Sequence, residues 1–163
     1  MTVAFISARV RRTGVALGAV SAGLLALSAC DKPTPLATVT IGTDSVHSEA
    51  ACYNDGKPLN DQAELATCLN DTSGRKTISV SLDDRMHFGV DPKIADNGWT
   101  FYLDGQQVEA EPNNDTYRTI QAGSFFASQT GETIKSVNLG IVETSEKDKA
   151  VVGVWNFELK TKS

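Results

Sequence analysis

Residues 77–90 read TISVSLDDRMHFGV, and this stretch decides the fold class. An apolar residue occupies every second position of both halves, first Ile78, Val80 and Leu82, then Met86, Phe88 and Val90. Alternation at period two is typical of a β-strand with one buried face. The acidic pair Asp83-Asp84 separates the two runs and predicts a turn. The stretch therefore predicts two consecutive antiparallel strands.

The same alternation recurs on both sides of this stretch. It appears at Val39 and Ile41, at Trp99, Phe101 and Leu103, in Thr116–Gln121, at Val137, Leu139 and Ile141, and at Trp155, Phe157 and Leu159 within Ala150–Lys160. Asp104-Gly105 is a strong hairpin signal leading into Gln107–Glu111, and Ser145–Lys149 is a polar turn. About seven or eight strands with polar turns predict an all-β, antiparallel, immunoglobulin-like β-sandwich.

One segment departs from the strand pattern. Asp61 and Glu64 have the spacing of a capping box, which marks the start of a helix. Leu65, Cys68 and Leu69 then follow at helical spacing. We therefore expect one short helix from Gln62 to Leu69.

The N-terminal residues have the three parts of a secretory signal. Arg9, Arg11 and Arg12 are basic, the thirteen residues from Val15 to Leu27 are mostly apolar, and Ser28-Ala29 is a small-residue cleavage site. The apolar run is too short to span a bilayer, which takes about 20 residues. Arg11-Arg12 leaves open whether export follows the general or the twin-arginine route.

Leu27-Ser28-Ala29-Cys30 resembles the lipobox of bacterial lipoproteins, in which the cysteine thiol takes a diacylglycerol and becomes the new N-terminus. The resemblance implies a lipoprotein signal peptide over 1–29, lipidation of Cys30 and attachment to the membrane through that lipid. Two acyl chains suffice for a stable anchor. The alternative is an ordinary export signal cut near Ala29, with Cys30 incidental. Residues 30–36 then form the lipidated N-terminus and a short tether with two prolines, and 37–163 the sandwich domain.

The charge of the chain excludes one class of partner. The leader holds three of the fifteen basic residues and none of the twenty acidic ones, so the 134 residues after it carry a formal charge of −8. Such a molecule is repelled by phosphate backbones and anionic headgroups. We therefore expect no nucleic-acid partner and no electrostatic help with membrane attachment.

The other two cysteines predict a disulfide. With Cys30 taken by lipid, Cys52 and Cys68 remain in an exported chain, where a bridge is the usual state. The bridge closes a loop of 15 residues. A loop of that size stabilises the fold by about 3 kcal/mol. A C-x-x-C redox pair is absent, so we expect a structural role.

Nothing in the sequence has the spacing of a metal or catalytic site. His47 and His87 are the only histidines, and no His, Cys or Met follows His87, so the copper site that cupredoxin sandwiches carry is missing. Asp83-Asp84 and Asn113-Asn114-Asp115 lack the spacing of a calcium loop. No G-x-S-x-G, H-E-x-x-H or phosphate-loop motif occurs. We expect no metal, no cofactor and no enzymatic activity.

The aromatic residues divide into two groups. Trp99, Phe101, Trp155 and Phe157 lie on inward strand faces, where large aromatics fill the core. Tyr102, Tyr117 and the pair Phe125-Phe126 are less clearly buried. An apolar binding patch, if the domain has one, is expected in Ala122–Ser128.

The whole chain also resembles a known group of proteins. The segments that carry the resemblance are the lipobox, Cys52-Tyr53, Phe88–Pro92 leading to Gly98-Trp99, and Trp155-Asn156-Phe157. With them the chain is similar to small exported lipoproteins of actinobacteria such as Streptomyces, and to the uncharacterised family DUF2771. The resemblance implies a place on the outer face of the plasma membrane, within the cell wall, and no mechanism.

These observations predict a membrane-anchored extracytoplasmic lipoprotein that acts as a non-catalytic binding or structural module at the cell envelope. The expected partner is an envelope protein or a wall component. A small-ligand-binding accessory lipoprotein of a transporter is the alternative, although about 130 residues is small for a two-lobed receptor. A cell-wall hydrolase is the third possibility, and it requires a pair of carboxylates in an open groove.

Overall fold

Ten β-strands and two α-helices form within residues 33–59, 61–127 and 134–162, which our computed structural model describes. In chain order they are β1 (Ala37–Ile41), β2 (Asp44–Ser48), β3 (Cys52–Tyr53), α1 (Gln62–Asn70), β4 (Lys76–Val80), β5 (Arg85–Val90), α2 (Pro92–Asn97), β6 (Trp99–Leu103), β7 (Gln106–Gln107), β8 (Tyr117–Gln121), β9 (Ser136–Thr144) and β10 (Val151–Thr161). A 3-10 turn spans Ala122–Phe125. The predicted signal peptide over 1–29 and the lipidation at Cys30 lie outside the described residues.

The strands form two sheets. Sheet A has the order β2-β1-β5-β8, and all its neighbours are antiparallel. Sheet B has the order β3-β10-β9-β6-β7. Strand β4 joins sheet B at the same edge of β10 as β3, and it runs parallel to Phe157–Thr161. The predicted immunoglobulin-like β-sandwich is confirmed, with one parallel pair that periodicity alone does not predict.

The space between the sheets is filled with apolar side chains. Trp99, Trp155 and Phe157 are fully buried, and Phe101 is 1% exposed. Phe88 packs edge-on against Phe101 with ring centroids 4.8 Å apart. The predicted assignment of the aromatic residues on the inward strand faces to the core is confirmed.

The segment after β8 belongs to the same core. Phe125 lies 5.5 Å from the ring of Phe88, and Ala122, Phe125 and Phe126 are all buried. The expected apolar binding patch in Ala122–Ser128 is therefore wrong for these residues, and Ser128 lies outside the described part of the chain. The 3-10 turn directs both phenylalanines inward, which strand periodicity does not predict.

Helix α1 covers part of the outer face of sheet B. Its buried residues Leu65, Cys68 and Leu69 pack against Val142 and Val154. The Asp61 carboxylate accepts a hydrogen bond of 2.8 Å from the backbone N–H of Glu64, which caps the first turn. The predicted helix over 62–69 is confirmed and extends one residue further.

Three local features differ from the sequence prediction. Helix α2 was not predicted, since it has only six residues and buries two of them, Ile94 and Ala95. Strand β4 ends at Val80, so Leu82 lies in the turn and is exposed. The predicted strand over 107–111 is shorter than expected, because β7 ends at Gln107.

Residues 33–36, the end of the expected tether, have no regular secondary structure but are bonded to the domain. The carbonyl of Pro35 accepts a hydrogen bond of 2.7 Å from the Trp155 indole. The N–H of Leu36 donates to the Asp91 carboxylate at 2.8 Å, and the N–H of Ala50 donates to the Thr34 hydroxyl at 3.1 Å. The described chain is thus held against the sandwich from Thr34 onward.

Candidate functional site

The predicted disulfide is confirmed and joins a strand of sheet B to helix α1. Cys52 of β3 and Cys68 of α1 are bonded, with their Cα atoms 5.7 Å apart. Cys68 is buried among Leu65 and Leu69. The bridge therefore holds α1 against the edge of sheet B, which is a structural role.

The outer face of sheet A carries the first candidate binding surface. Strand register places nine side chains on it: Thr38, Thr40, Ser45, His47, Arg85, His87, Tyr117, Thr119 and Gln121. We call this set the open face, because all nine side chains are exposed or half-buried. Antiparallel sheets commonly leave one face in water. Here that face is polar throughout, in contrast to the helix-covered face of sheet B.

An aromatic pair stands near the β8 edge of the open face. Tyr117 is 56% exposed, and its ring stacks on His87 with centroids 5.6 Å apart and planes at 17°. The Tyr117 hydroxyl is hydrogen-bonded to Nδ1 of His87, and the same nitrogen lies 3.0 Å from the Thr119 hydroxyl. The pair is therefore ordered while one ring remains open to solvent.

The charge of the open face differs from that of the molecule. None of its nine side chains is a carboxylate, and Arg85 is the one formal charge at neutral pH. Both histidines of the chain lie on it, with the hydroxyls of Thr38 and Thr40 between them. Thr40 and Ser45 are themselves joined by a hydroxyl–hydroxyl contact of 2.9 Å.

A polar groove on sheet B is the second candidate surface. It has a volume of about 680 Å³, within the usual range for ligand sites, and its lining includes Asn97, Tyr102, Gln107, Glu111, Glu146 and Lys149. We call it the Tyr102 groove. The Tyr102 hydroxyl donates to Gln107 at 3.3 Å, and partial burial raises the pKa of this phenol.

A buried carboxyl group lies behind the Tyr102 groove. Glu143 of β9 is fully buried, and its Oε1 accepts a hydrogen bond of 2.5 Å from the Asn97 amide. Its Oε2 has no hydrogen-bond partner within the described residues. Burial raises the pKa of Glu143, while the Asn97 hydrogen bond and the charge of Lys93 act in the opposite direction. Asn97 therefore separates a carboxyl of raised pKa from the groove.

The sequence indicated part of these surfaces. The alternation around Met86 and Phe88 places His87 on the opposite face of its strand, where it lies in the structure. It did not indicate that His47, His87 and Tyr117 share one face, because that depends on which strands pair. Glu143 had a usable signal, since it continues the buried series of Val137, Leu139 and Ile141 at period two.

The fold and its two surfaces define an immunoglobulin-like β-sandwich with a disulfide-bonded helix. No family model matches the chain, and no curated protein does. Among solved structures it is similar to a fibronectin(III)-like module of CbhA from Clostridium thermocellum, with 10% identity over 56% of this chain and 92% of that chain and a TM-score of 0.37. At this level the similarity identifies neither a family nor a function.

Two further observations concern membranes and metals. Among the helices of the described residues, none combines the length and the apolar character needed to cross a bilayer. Within the same residues, His, Cys, Asp and Glu side chains do not gather in threes or more as a metal site requires.

Proposed function

We propose that this protein is a membrane-anchored extracytoplasmic lipoprotein whose sandwich is a non-catalytic binding module at the cell envelope. Cys30 carries a diacylglyceryl anchor after removal of residues 1–29, and the domain faces outward from the plasma membrane. The open face is the observation that carries the binding role. The lipobox resemblance of Leu27-Ser28-Ala29-Cys30 supports the anchor.

Order in the open face supports binding. Tyr117 is fixed by its stacking on His87 and by a hydrogen bond to the same ring. Fixing a mobile side chain at an interface costs about 0.5–1.5 kcal/mol, so a ring that is already ordered loses less on binding. A prearranged aromatic pair with one exposed ring is therefore better suited to recognition than to solubility alone.

The position of Glu143 supports a non-catalytic role. A general acid needs a raised pKa together with access to its substrate. The pKa of Glu143 is raised, but this carboxyl group is fully buried behind Asn97. Glu111 and Glu146 of the Tyr102 groove are both exposed, without the burial that tunes a catalytic acid.

The short distance from the anchor to the domain supports an envelope partner. Only three residues separate Cys30 from Thr34, the first residue bonded to the sandwich. Four Cα–Cα steps span at most about 14 Å. A domain held this close to the membrane meets envelope proteins and wall components. The resemblance to actinobacterial lipoproteins and to DUF2771 agrees with this location and remains a prediction.

Replacement of the lipidated cysteine tests the anchor. Cells expressing a C-terminally tagged chain are fed an alkyne fatty acid, and labelled protein is measured in membrane and medium. We expect label on the wild type and on Lys32→Ala, which leaves the lipobox intact. Cys30→Ala should carry no label and be either unprocessed or released. Unchanged labelling of Cys30→Ala would contradict the proposal.

A small-ligand-binding accessory of a transporter is the second candidate function. The Tyr102 groove favours it, because its volume and its mixture of amides, a phenol and charged groups suit a small polar ligand. A screen of small polar metabolites by thermal shift tests this function. The decisive result is a metabolite that raises the melting temperature of the wild type and of Tyr117→Ala but not that of Tyr102→Ala. This result would assign the binding role to the Tyr102 groove and not to the open face.

A further inference from the structure

We propose that the open face binds an anionic glycan, a hydroxyl-rich polymer that carries acidic groups. This inference rests on the proposed binding role and specifies the partner. Its basis is the combination, on one sheet face, of an aromatic pair with one exposed ring, rows of hydroxyl groups, an arginine and no carboxylate.

Charge selects the kind of polymer. Residues 30–163 carry a formal charge of −8, so most of the molecular surface repels an anionic polymer. The nine side chains of the open face contribute no negative charge and one positive charge, from Arg85. An anionic ligand is therefore directed to this surface by repulsion elsewhere.

Shape selects a polymer over a small molecule. Four strands at a spacing of about 4.8 Å make a surface roughly 14 Å wide. Small ligands are usually held in concave pockets that bury most of their surface. The exposed face of a sheet instead gains contact area by adding successive units of an extended chain.

The side chains supply what a sugar needs. The exposed ring of Tyr117 offers an apolar surface to the C–H face of a sugar, and its stacking on His87 holds it in place. The hydroxyls of Thr38 and Thr119 and the amide of Gln121 can donate and accept hydrogen bonds. The Arg85 guanidinium matches the geometry of an acidic group.

The same composition argues against a protein partner. The cores of protein–protein interfaces are enriched in aromatic residues and methionine and are more apolar than their rims. The open face has one exposed aromatic ring and no Leu, Ile, Val or Met among its nine side chains. A polypeptide that binds through its acidic side chains would not need an apolar interface. The experiment must therefore exclude an acidic polypeptide.

The test uses the full-length, C-terminally tagged protein in detergent and two polymers with the same sugar backbone, one charged and one neutral. Binding to polygalacturonate is compared with binding to its methyl ester, in which the carboxylates are neutralised. We expect binding to the acid form that weakens with added salt. Affinity for the ester should be lower by at least about tenfold, because the charge-assisted contacts are lost. Equal binding of both polymers, or of neither, would overturn the assignment.

Three substitutions that each change the charge by −1 locate the site. Arg85→Gln removes the cation, and Thr40→Glu places a carboxylate in the middle of the open face. Each should weaken binding by about tenfold. Thr67→Glu, on the exposed side of α1, is the matched control and should stay within about twofold. Circular dichroism melts confirm that each variant is folded, and equal weakening by Thr67→Glu would overturn the location.

Two further measurements show whether a negative result overturns the glycan or the binding role itself. Binding of poly-L-glutamate as tight as that of polygalacturonate would overturn the glycan in favour of an acidic polypeptide. Sedimentation with isolated bacterial cell walls separates this inference from the proposed function. Wall binding that Thr40→Glu abolishes, without any polygalacturonate binding, overturns the anionic glycan and leaves the binding role intact.

Discussion

At the scale of single residues, Gly153 shows how closely the inter-sheet core is packed. It pairs with Glu143 across β9 and β10, where β10 has a register shift. A Cβ atom at Gly153 would lie 2.5 Å and 2.8 Å from two ring carbons of Trp155 and 3.1 Å from Tyr53. Indole rings cannot bend away as the end of a flexible side chain can, so only glycine fits.

Gly153→Ala should therefore destabilise the fold by about 1–3 kcal/mol, the usual cost of overpacking a core. The measurement is the free energy of unfolding in urea. Gly74→Ala is the matched control, because no heavy atom lies within 4 Å of its added Cβ. Equal stability of the two variants would contradict the packing described for Trp155.

Glu143 makes stability depend on pH in a defined direction. Its pKa in the folded protein is raised above the ordinary 4.5 by burial, and Lys93 and Asn97 of α2 only partly oppose this. The folded state therefore binds this proton more tightly than the unfolded state. The stability due to the proton is fully present below pH 4.5 and is lost as the pH rises through the folded pKa.

Glu143→Gln keeps an oxygen for Asn97 and removes this titration. We subtract the free energy of unfolding of Glu143→Gln from that of the wild type. This difference should decrease as the pH rises from 4 to 8. Urea unfolding of both proteins across this range gives the difference, in which the titration of other groups cancels. A difference that stays constant with pH would show that Glu143 does not titrate as its burial requires.

Individual residues were also the features that the sequence predicted best. The disulfide pair and the four core aromatics followed from compartment, spacing and strand periodicity, all of which are local or compositional. Phe125 and Phe126 were misjudged because a 3-10 turn has no period that resembles a strand. Glu143 was overlooked although its position in the alternation placed it on the buried face.

At the scale of elements, α1 depends on long-range attachments. It has nine residues and three buried side chains, and isolated helices below about 12 residues are marginal in water. The Asn156 amide donates to the carbonyls of Cys68 and Asp71 at the end of the helix, at 2.7 Å and 3.1 Å. The disulfide adds a covalent link to β3.

Reduction of the disulfide should lower the free energy of unfolding by about 3 kcal/mol, because the unfolded chain regains the entropy of a 15-residue loop. Urea unfolding with and without reductant measures the change. The Cys52→Ala/Cys68→Ala double variant serves as the control, since reductant should not affect its stability. In the native wild type, alkylation of either cysteine without reductant would contradict the bridge.

Features that depend on contacts between residues far apart in the chain were not predicted from the sequence. The strand at 76–80 was predicted, but its parallel alignment with the end of β10 brings together residues 81 positions apart, such as Thr77 and Glu158. Helix α2 shows no helical periodicity in the sequence because its six residues make fewer than two turns. The parallel alignment of β4 and the formation of helix α2 both depend on the strands that surround them.

At the scale of the whole molecule, the two sides of the sandwich differ. Sheet B is covered in part by α1, and sheet A presents the open face. The all-β class followed from periodicity, whereas the order β2-β1-β5-β8 did not, because nothing local specifies which edges meet. The open face could therefore be recognised only once strand pairing was known.

The attachment of the N-terminal segment to the domain is testable. Asp91→Ala removes the carboxylate that accepts from the Leu36 N–H, so amide exchange at Leu36 should accelerate. Asp91→Asn retains an acceptor oxygen and should preserve slow exchange. Hydrogen–deuterium exchange measures both variants, with core amides of β9 as the internal reference. Unchanged exchange in Asp91→Ala would show that this bond does not hold the segment.

The central place of β1 in sheet A has a mechanical consequence. If the protein is anchored at Cys30 and holds a wall polymer on the open face, tension between membrane and wall enters the domain through the bonded residues 34–36 and passes into the start of β1. Strand β1 is bonded to β2 on one side and β5 on the other, through residues 37–41 on both sides. Ladder hydrogen bonds lie perpendicular to the strands, so a pull along β1 would shear them together instead of peeling them one at a time. With such an anchor, both ladders of β1 would share the load.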